Sequence, residues 1–165
     1  MINTGLSQAW AVKNLETKAL VVAGRPQGDW ASGILSAARE LEEALADPDR
    51  LNEVASQLAA VADATGAGMI TGASSLGNQL AGIVAGRAAR PLTLWTQNGA
   101  HGTVLVVEGV LASGAQLART ASRVRAAGAA RVVGAAVVAE PRGLAMCRLE
   151  IGDDVHALSE LAAAR

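Results

Sequence analysis

Aromatic side chains are nearly missing from this chain: they make up 2% of it, with no Tyr and no Phe, and all are tryptophans, Trp10, Trp30 and Trp95. That scarcity removes the stacking platforms that bind unpaired bases, and Lys+Arg 14 against Asp+Glu 15 leaves no basic excess. Nucleic acid is therefore not an expected partner. No apolar run is long enough to span a bilayer, so no membrane is expected either. Cys147 is the single cysteine and cannot form an intrachain disulfide. With His101 and His156 far apart in sequence, no metal-site spacing is present. Together with an N-terminus that does not read as a signal peptide, the lone thiol makes the cytoplasm the expected location.

What the chain does have is apolar bulk: hydrophobic residues are 51% and charged residues 18% of its 165 positions. That balance suits one folded domain over residues 1–165, with a core of Ala, Val, Leu and Ile. Such thin side chains imply close approach of helix to sheet.

Punctuation and periodicity divide the chain. A short helix or arm is expected within residues 1–15, and a strand over residues 18–23 ends in the turn chemistry of Gly24-Arg25-Pro26-Gln27-Gly28. Ile34, Leu35, Ala38, Leu41 and Leu45 follow one helical face, and Asp47-Pro48-Asp49 ends that helix and caps the next, whose stripe is Leu51, Val54, Leu58 and Val61. Gly68-Met69-Ile70 reads as a short strand leading into the small-residue loop Thr71-Gly72-Ala73-Ser74-Ser75-Leu76-Gly77. A helix carrying Leu76, Leu80, Ile83 and Val84 follows. Gly82 and Gly86 lie inside it, and since glycine costs a helix about 1 kcal/mol relative to alanine, tight packing is expected to compensate. Residues 91–95 read as a strand and residues 96–102 as a polar connection. Past Glu140-Pro141-Arg142-Gly143, read as a turn, residues 145–151 alternate like a strand, and a loop and final helix are expected over residues 153–164.

The organising stretch is residues 103–138. Val104, Leu105, Val106 and Val107 form an uninterrupted apolar run, as parallel strands covered on both faces do, and Glu108 interrupts it. The small-residue loop Ala112-Ser113-Gly114-Ala115-Gln116 then opens a helix. Its backbone N–H groups and the helix N-terminus favour an anion. Leu117, Ala121 and Val124 mark the buried stripe, with Arg119, Arg123 and Arg125 on a solvated face; Gly128 is the stop, and residues 131–138 resume as a strand. Strand, crossover helix and parallel strand make a βαβ unit, with ligands expected at the carboxyl ends of the strands.

This stretch resembles the phosphoribosyl-diphosphate signature of the type I phosphoribosyltransferases, in which a hydrophobic strand ends in two acidic residues and leads to a glycine-containing phosphate loop. Within that family it is most similar to the orotate phosphoribosyltransferases. Val22-Ala23-Gly24-Arg25, Asp47-Pro48-Asp49-Arg50-Leu51 and residues 155–161 resemble their hood, second helix and C-terminal segment. The resemblance implies an α/β fold with a mainly parallel central sheet flanked by helices, and a small hood. It implies Glu108 as the catalytic carboxylate on the ribose, and Ala112, Ser113, Gly114, Ala115, Gln116 and Leu117 as the phosphate site. Ala73, Ser74 and Ser75 form the diphosphate-side loop, where the serines alternatively only cap a helix. It implies Trp95 beside a base pocket, a homodimer, and Mg2+ as the accompanying ion if phosphoribosyl diphosphate binds.

The sequence also departs from the family pattern. Gly109 removes the second acidic residue, Ala112 and Gln116 lack the usual hydroxyls, Pro26 stands where the hood often has a lysine, and residues 96–102 contain no Lys or Arg. Missing cations and a missing carboxylate remove transition-state stabilisation, typically a few kcal/mol for each preorganised group. The expectation is therefore a protein that binds a phosphoribosyl compound or nucleotide, with weak or no transfer. The alternatives are an active phosphoribosyltransferase with an altered site and a non-catalytic partner-binding module.

Overall fold

The computed structural model describes residues 30–93 and 99–161. The strand expected over residues 18–23, the N-terminal part of the hood, Pro26 and Trp95 lie outside them. Helix α1 spans Trp30–Leu45 and α2 spans Pro48–Thr65. Asp47 starts α2 by accepting a hydrogen bond from the Asp49 amide at 2.9 Å, and Gly66, at φ 68, ends it in the left-handed conformation that favours glycine. Val54, Leu58 and Val61 are buried as their spacing predicts, whereas Leu35 of α1 is 70% exposed and Ala37 is buried instead.

The sheet contains β1 Met69–Gly72, β2 Thr103–Leu111, β3 Arg131–Ala139 and β4 Val155–Glu160, all parallel and in the order β1-β2-β3-β4. Ile70 faces Leu105, Val104 faces Val132, and Gly134 faces Val155. Of the strand expected over residues 91–95, the described part makes one parallel bridge, Leu92 to Ile70, on the flank of β1 away from β2.

Helix α3 (Ser75–Ala88) joins α1 and α2 on one face, where Leu41, Leu58, Leu80 and Val84 pack on Leu105 and Val107. Helices α4 (Ala115–Ala126) and α5 (Pro141–Ile151) cover the other face, with Leu117, Ala121, Val124, Leu144 and Cys147 on Val104 and Val106. The fold is thus the mainly parallel α/β sheet that the sequence implied.

Three expectations are corrected. Residues 145–151 are the end of α5 and not a strand. Glu140 and Pro141 are its start signal: the Glu140 carboxylate accepts from the Gly143 amide at 2.8 Å, and Leu144, Cys147 and Ile151 are buried at helical spacing. The final helix is instead β4, whose entry is fixed by Asp154, held by two hydrogen bonds from Arg131 at 2.7 and 2.8 Å. Gly82 and Gly86 are not packed tightly, since a Cβ at either would meet nothing within 4 Å. The close approach in α3 is at Gly77, where a Cβ would stand 2.5 Å from the Val107 carbonyl oxygen.

The direction of the chain reverses between β1 and β2. From β1 it runs through α3 to Leu92 on one flank; from β2 it runs through α4 and α5 to β3 and β4 on the other. Because parallel crossovers are right-handed, a reversal of direction moves the covering helices to the opposite face, as observed. The carboxyl ends of β1 and β2 therefore bound a crevice of the kind in which open α/β sheets hold ligands.

Candidate functional site

Each of β1, β2 and β3 ends at this edge in a turn that starts a helix. Ser74 caps α3, its hydroxyl accepting from the Gly77 amide at 3.0 Å, and Glu140 caps α5. Helix α4 differs: its N-cap is Gly114, with φ 80 and no side chain to cap with, and only the Ala115 amide meets a side chain, the Ser113 hydroxyl at 3.3 Å. The unmet N–H groups at a helix start carry partial positive charge, so this is the helix start whose cap leaves room for an anion.

The loop before α4 is held from behind. A Cβ on Gly114 would stand 2.8 Å from the Gly143 carbonyl oxygen and 3.0 Å from Cys147 Cβ, and a Cβ on Gly143 would overlap the Ala112 carbonyl. The Cys147 thiol is buried and directed at the Gly114 carbonyl oxygen at 3.9 Å. Burial, with the Glu150 charge adding to it, pushes the thiol up to about 11, so it is a packing group and not a nucleophile at neutral pH. Ser113 is exposed and accepts from the Ala115 amide at 3.3 Å.

In front of this loop lies a cleft of about 260 Å³ lined by Glu108, Ala112, Ser113, Gly114, Gln116 and Leu117, together with Val110 and Leu111. It brings Glu108 and most of the expected phosphate residues together. Ala115 and the β1-side residues Ala73, Ser74 and Ser75 are not in its lining. Among the described residues, the lining contains no Lys or Arg and no group of three His, Cys, Asp or Glu able to hold a metal ion is present.

Glu108 is 4% exposed and therefore not the solvated strand-end carboxylate that its position suggests. Its Oε1 accepts from the Ser74 hydroxyl and from the Gly109 amide at 2.8 Å. Burial pushes its carboxyl above the ordinary range, while hydrogen bonds from Ser74 and Gly109 pull the other way. The Ser74 hydroxyl caps α3 and also bridges to Glu108. Sequence reasoning missed that link and the backing by Gly143. Beside it, Gly109 is more than a lost side chain, because Leu76 Cδ2 lies 2.5 Å from where a Cβ on Gly109 would be. Leu76 fills the space that a second carboxylate would need.

No protein-family model matches the chain, and no curated protein matches it in sequence. Solved structures do match. An orotate phosphoribosyltransferase from Aeropyrum pernix aligns at 22% identity and TM-score 0.60, over 74% of this chain and 76% of that one. A Giardia lamblia APRTase complexed with 9-deazaadenine aligns at 17% identity and TM-score 0.64, over 72% and 83%. The orotate phosphoribosyltransferase of Mycobacterium tuberculosis H37Rv, in complex with inorganic phosphate, aligns at 17% identity and TM-score 0.59, over 82% and 90%. The chain has the type I phosphoribosyltransferase fold.

Proposed function

We propose that this protein binds a phosphorylated ribose compound, as a sugar phosphate or nucleotide, in the cleft between Glu108 and the start of α4, and that it transfers the phosphoribosyl group slowly or not at all. The observation that carries this reading is the cleft itself. It lies at the carboxyl end of β2 and joins one carboxylate to the helix N-terminus of α4, while its lining among the described residues lacks any cation.

Binding a phosphate needs backbone N–H groups and the helix dipole, which residues 113–117 supply. Transfer needs more, because negative charge grows on the departing diphosphate and positive charge on the sugar. Glu108 can accept from a ribose hydroxyl, but with Leu76 over Gly109 there is no second carboxylate beside it. If phosphoribosyl diphosphate enters, Mg2+ would travel with it, held by diphosphate oxygens and water, since the ion keeps much of its hydration and needs no protein cage. A homodimer in the cytoplasm completes the reading.

The test is calorimetry with ribose 5-phosphate, nucleoside monophosphates and phosphoribosyl diphosphate with Mg2+, beside an assay for orotidylate. Binding of a phosphoribosyl compound with orotidylate formation at or near background supports the proposal. Rapid orotidylate formation refutes the inactivity, and failure of every phosphoribosyl compound to bind refutes the ligand.

A further inference from the structure

The loops after β1 and β2 are separate stretches of sequence, but one hydroxyl joins them. A serine hydroxyl has a single proton to donate and lone pairs to accept with. At Ser74 an accepting position is used by the Gly77 amide at 3.0 Å, and the proton goes to Glu108 Oε1. The Gly109 amide donates to the same Oε1 at 2.8 Å. Oε1 thus has two donors, and Oε2 accepts no hydrogen bond among the described residues. Oε2 is also absent from the buried polar atoms that lack a partner, which are Thr71 Oγ1 and His156 Nε2. Since Glu108 lines the cleft, Oε2 is the oxygen left to face it.

The frame that holds this arrangement is stiff. Gly77 lies against the Val107 carbonyl oxygen, 2.5 Å from where its Cβ would be, and the missing Cβ of Gly72 would overlap the first turn of α3. The Ala73 amide donates to the Val107 carbonyl at 2.9 Å. The start of α3 is therefore pressed onto the end of β2, and the Ser74 hydroxyl is delivered to Glu108 by backbone packing.

We propose that Ser74 is a positioning residue for sugar recognition: by fixing Glu108 through Oε1 it presents Oε2 to a ribose hydroxyl, so the loop after β1 controls what the loop after β2 can bind. This rests on the phosphoribosyl reading of the cleft. Among the described residues no other charged or titratable side chain lines the cleft with Glu108. The loop after β1 offers the Ser74 hydroxyl, α3 offers Leu76 beside Gly109, β3 has Ala136 opposite in register, and α4 contributes Gln116 and Leu117. A change in the titration of Glu108 therefore reports its hydrogen bonds.

The variants are Ser74→Gly, which removes the hydroxyl at a capping cost of only a few tenths of a kcal/mol, and Ser74→Thr, which keeps it. In 13C-glutamate-labelled protein, with the Glu108 signal assigned by its loss in Glu108→Gln, Ser74→Gly is expected to move the Glu108 titration to higher pH and Ser74→Thr to restore it. Ribose 5-phosphate is expected to bind Ser74→Gly about tenfold more weakly, the loss of one hydrogen bond to a charged group. Inorganic phosphate is expected to bind it as it binds the unmodified protein. An unchanged titration overturns the inference, and so does an equal loss for both ligands, which would mark a purely structural role. If the unmodified protein binds neither ligand, it is the phosphoribosyl reading that fails, and the titration alone then decides whether Ser74 holds Glu108.

Discussion

The Cβ that Gly143 lacks would overlap the carbonyl oxygen of Ala112. The first turn of α5 and the loop after β2 are thus in backbone contact, and the candidate phosphate loop takes its shape from a helix that follows it by a whole strand. Replacing Gly143 with alanine must push that loop outward. Overpacking of this kind costs about 1–3 kcal/mol. Urea unfolding should show that loss, and titration with inorganic phosphate should show the binding lost as well. Gly114→Val, at a backbone φ of 80, is expected to abolish binding by blocking the loop directly.

Burial disfavours a charge on Glu108. Its folded-state carboxyl is raised above the unfolded value, so the folded protein binds its proton more tightly than the unfolded chain does. Stability from this group is fully present below the unfolded pKa and is lost as pH rises through the folded one. Glu108→Gln keeps an oxygen to accept from Ser74 and Gly109 but never ionises. Thermal melts should find the variant more stable than the parent at pH 7, and the gap should close below pH 4. A gap that persists unchanged in acid would contradict the assignment.

Gly82 and Gly86 leave open space where a Cβ would go. Alanine at either position should therefore stabilise α3 by about 0.5–1 kcal/mol, through helix propensity and a less flexible unfolded chain. Chemical denaturation of the single and double variants measures this. A loss of stability instead would contradict the open space seen at these positions.

Arg131 ties three segments together. It donates to Asp154 from two nitrogens and to the Thr65 carbonyl oxygen at 3.2 Å, joining the starts of β3 and β4 to the end of α2. Both side chains of the ion pair are more than a third exposed, so solvent screening keeps its contribution small, about 1 kcal/mol even with two-point geometry. Arg131→Met should cost about that much at pH 7. Hydrogen bonds and charge from Arg131 hold the Asp154 carboxyl below its usual range. This contribution is therefore present above the unfolded pKa and is lost as pH falls through the folded one, so parent and variant should converge in strong acid.

Much of this architecture is legible in the sequence because local rules decide it. Val104 to Val107 have no polar face and must be covered on both sides; Leu117, Ala121 and Val124 can share a face only in a helix; Gly66 and Gly128 take up positive φ at helix ends. The errors arise where two periods fit the same letters. Met146, Arg148 and Glu150 alternate like a strand, yet Leu144, Cys147 and Ile151 also fit a helix, and the start signal at Glu140-Pro141 decides between them. β4 is short and mixed, and its extended form comes from pairing with β3, which no local window contains. The candidate site divides in the same way. Its loop is visible as a run of small residues, whereas the bond between Ser74 and Glu108 joins positions 34 apart and leaves no local trace.

The strand order has a consequence for how the chain assembles. β2 pairs with β3 and β3 with β4, each with the strand that follows in sequence, so residues 103–160 form a run of neighbouring contacts with short loops to close. β1 must instead be joined across the whole of α3 and the segment after it, and it is also the shorter partner, with four residues against nine in β2. In native-state hydrogen exchange, amides of β2 and β3 should open only with global unfolding, while those of β1 open at lower free energy. The crevice beside Glu108 would then be the last part of the sheet to form and the first to loosen, and a ligand seated there would hold the two halves of the chain together.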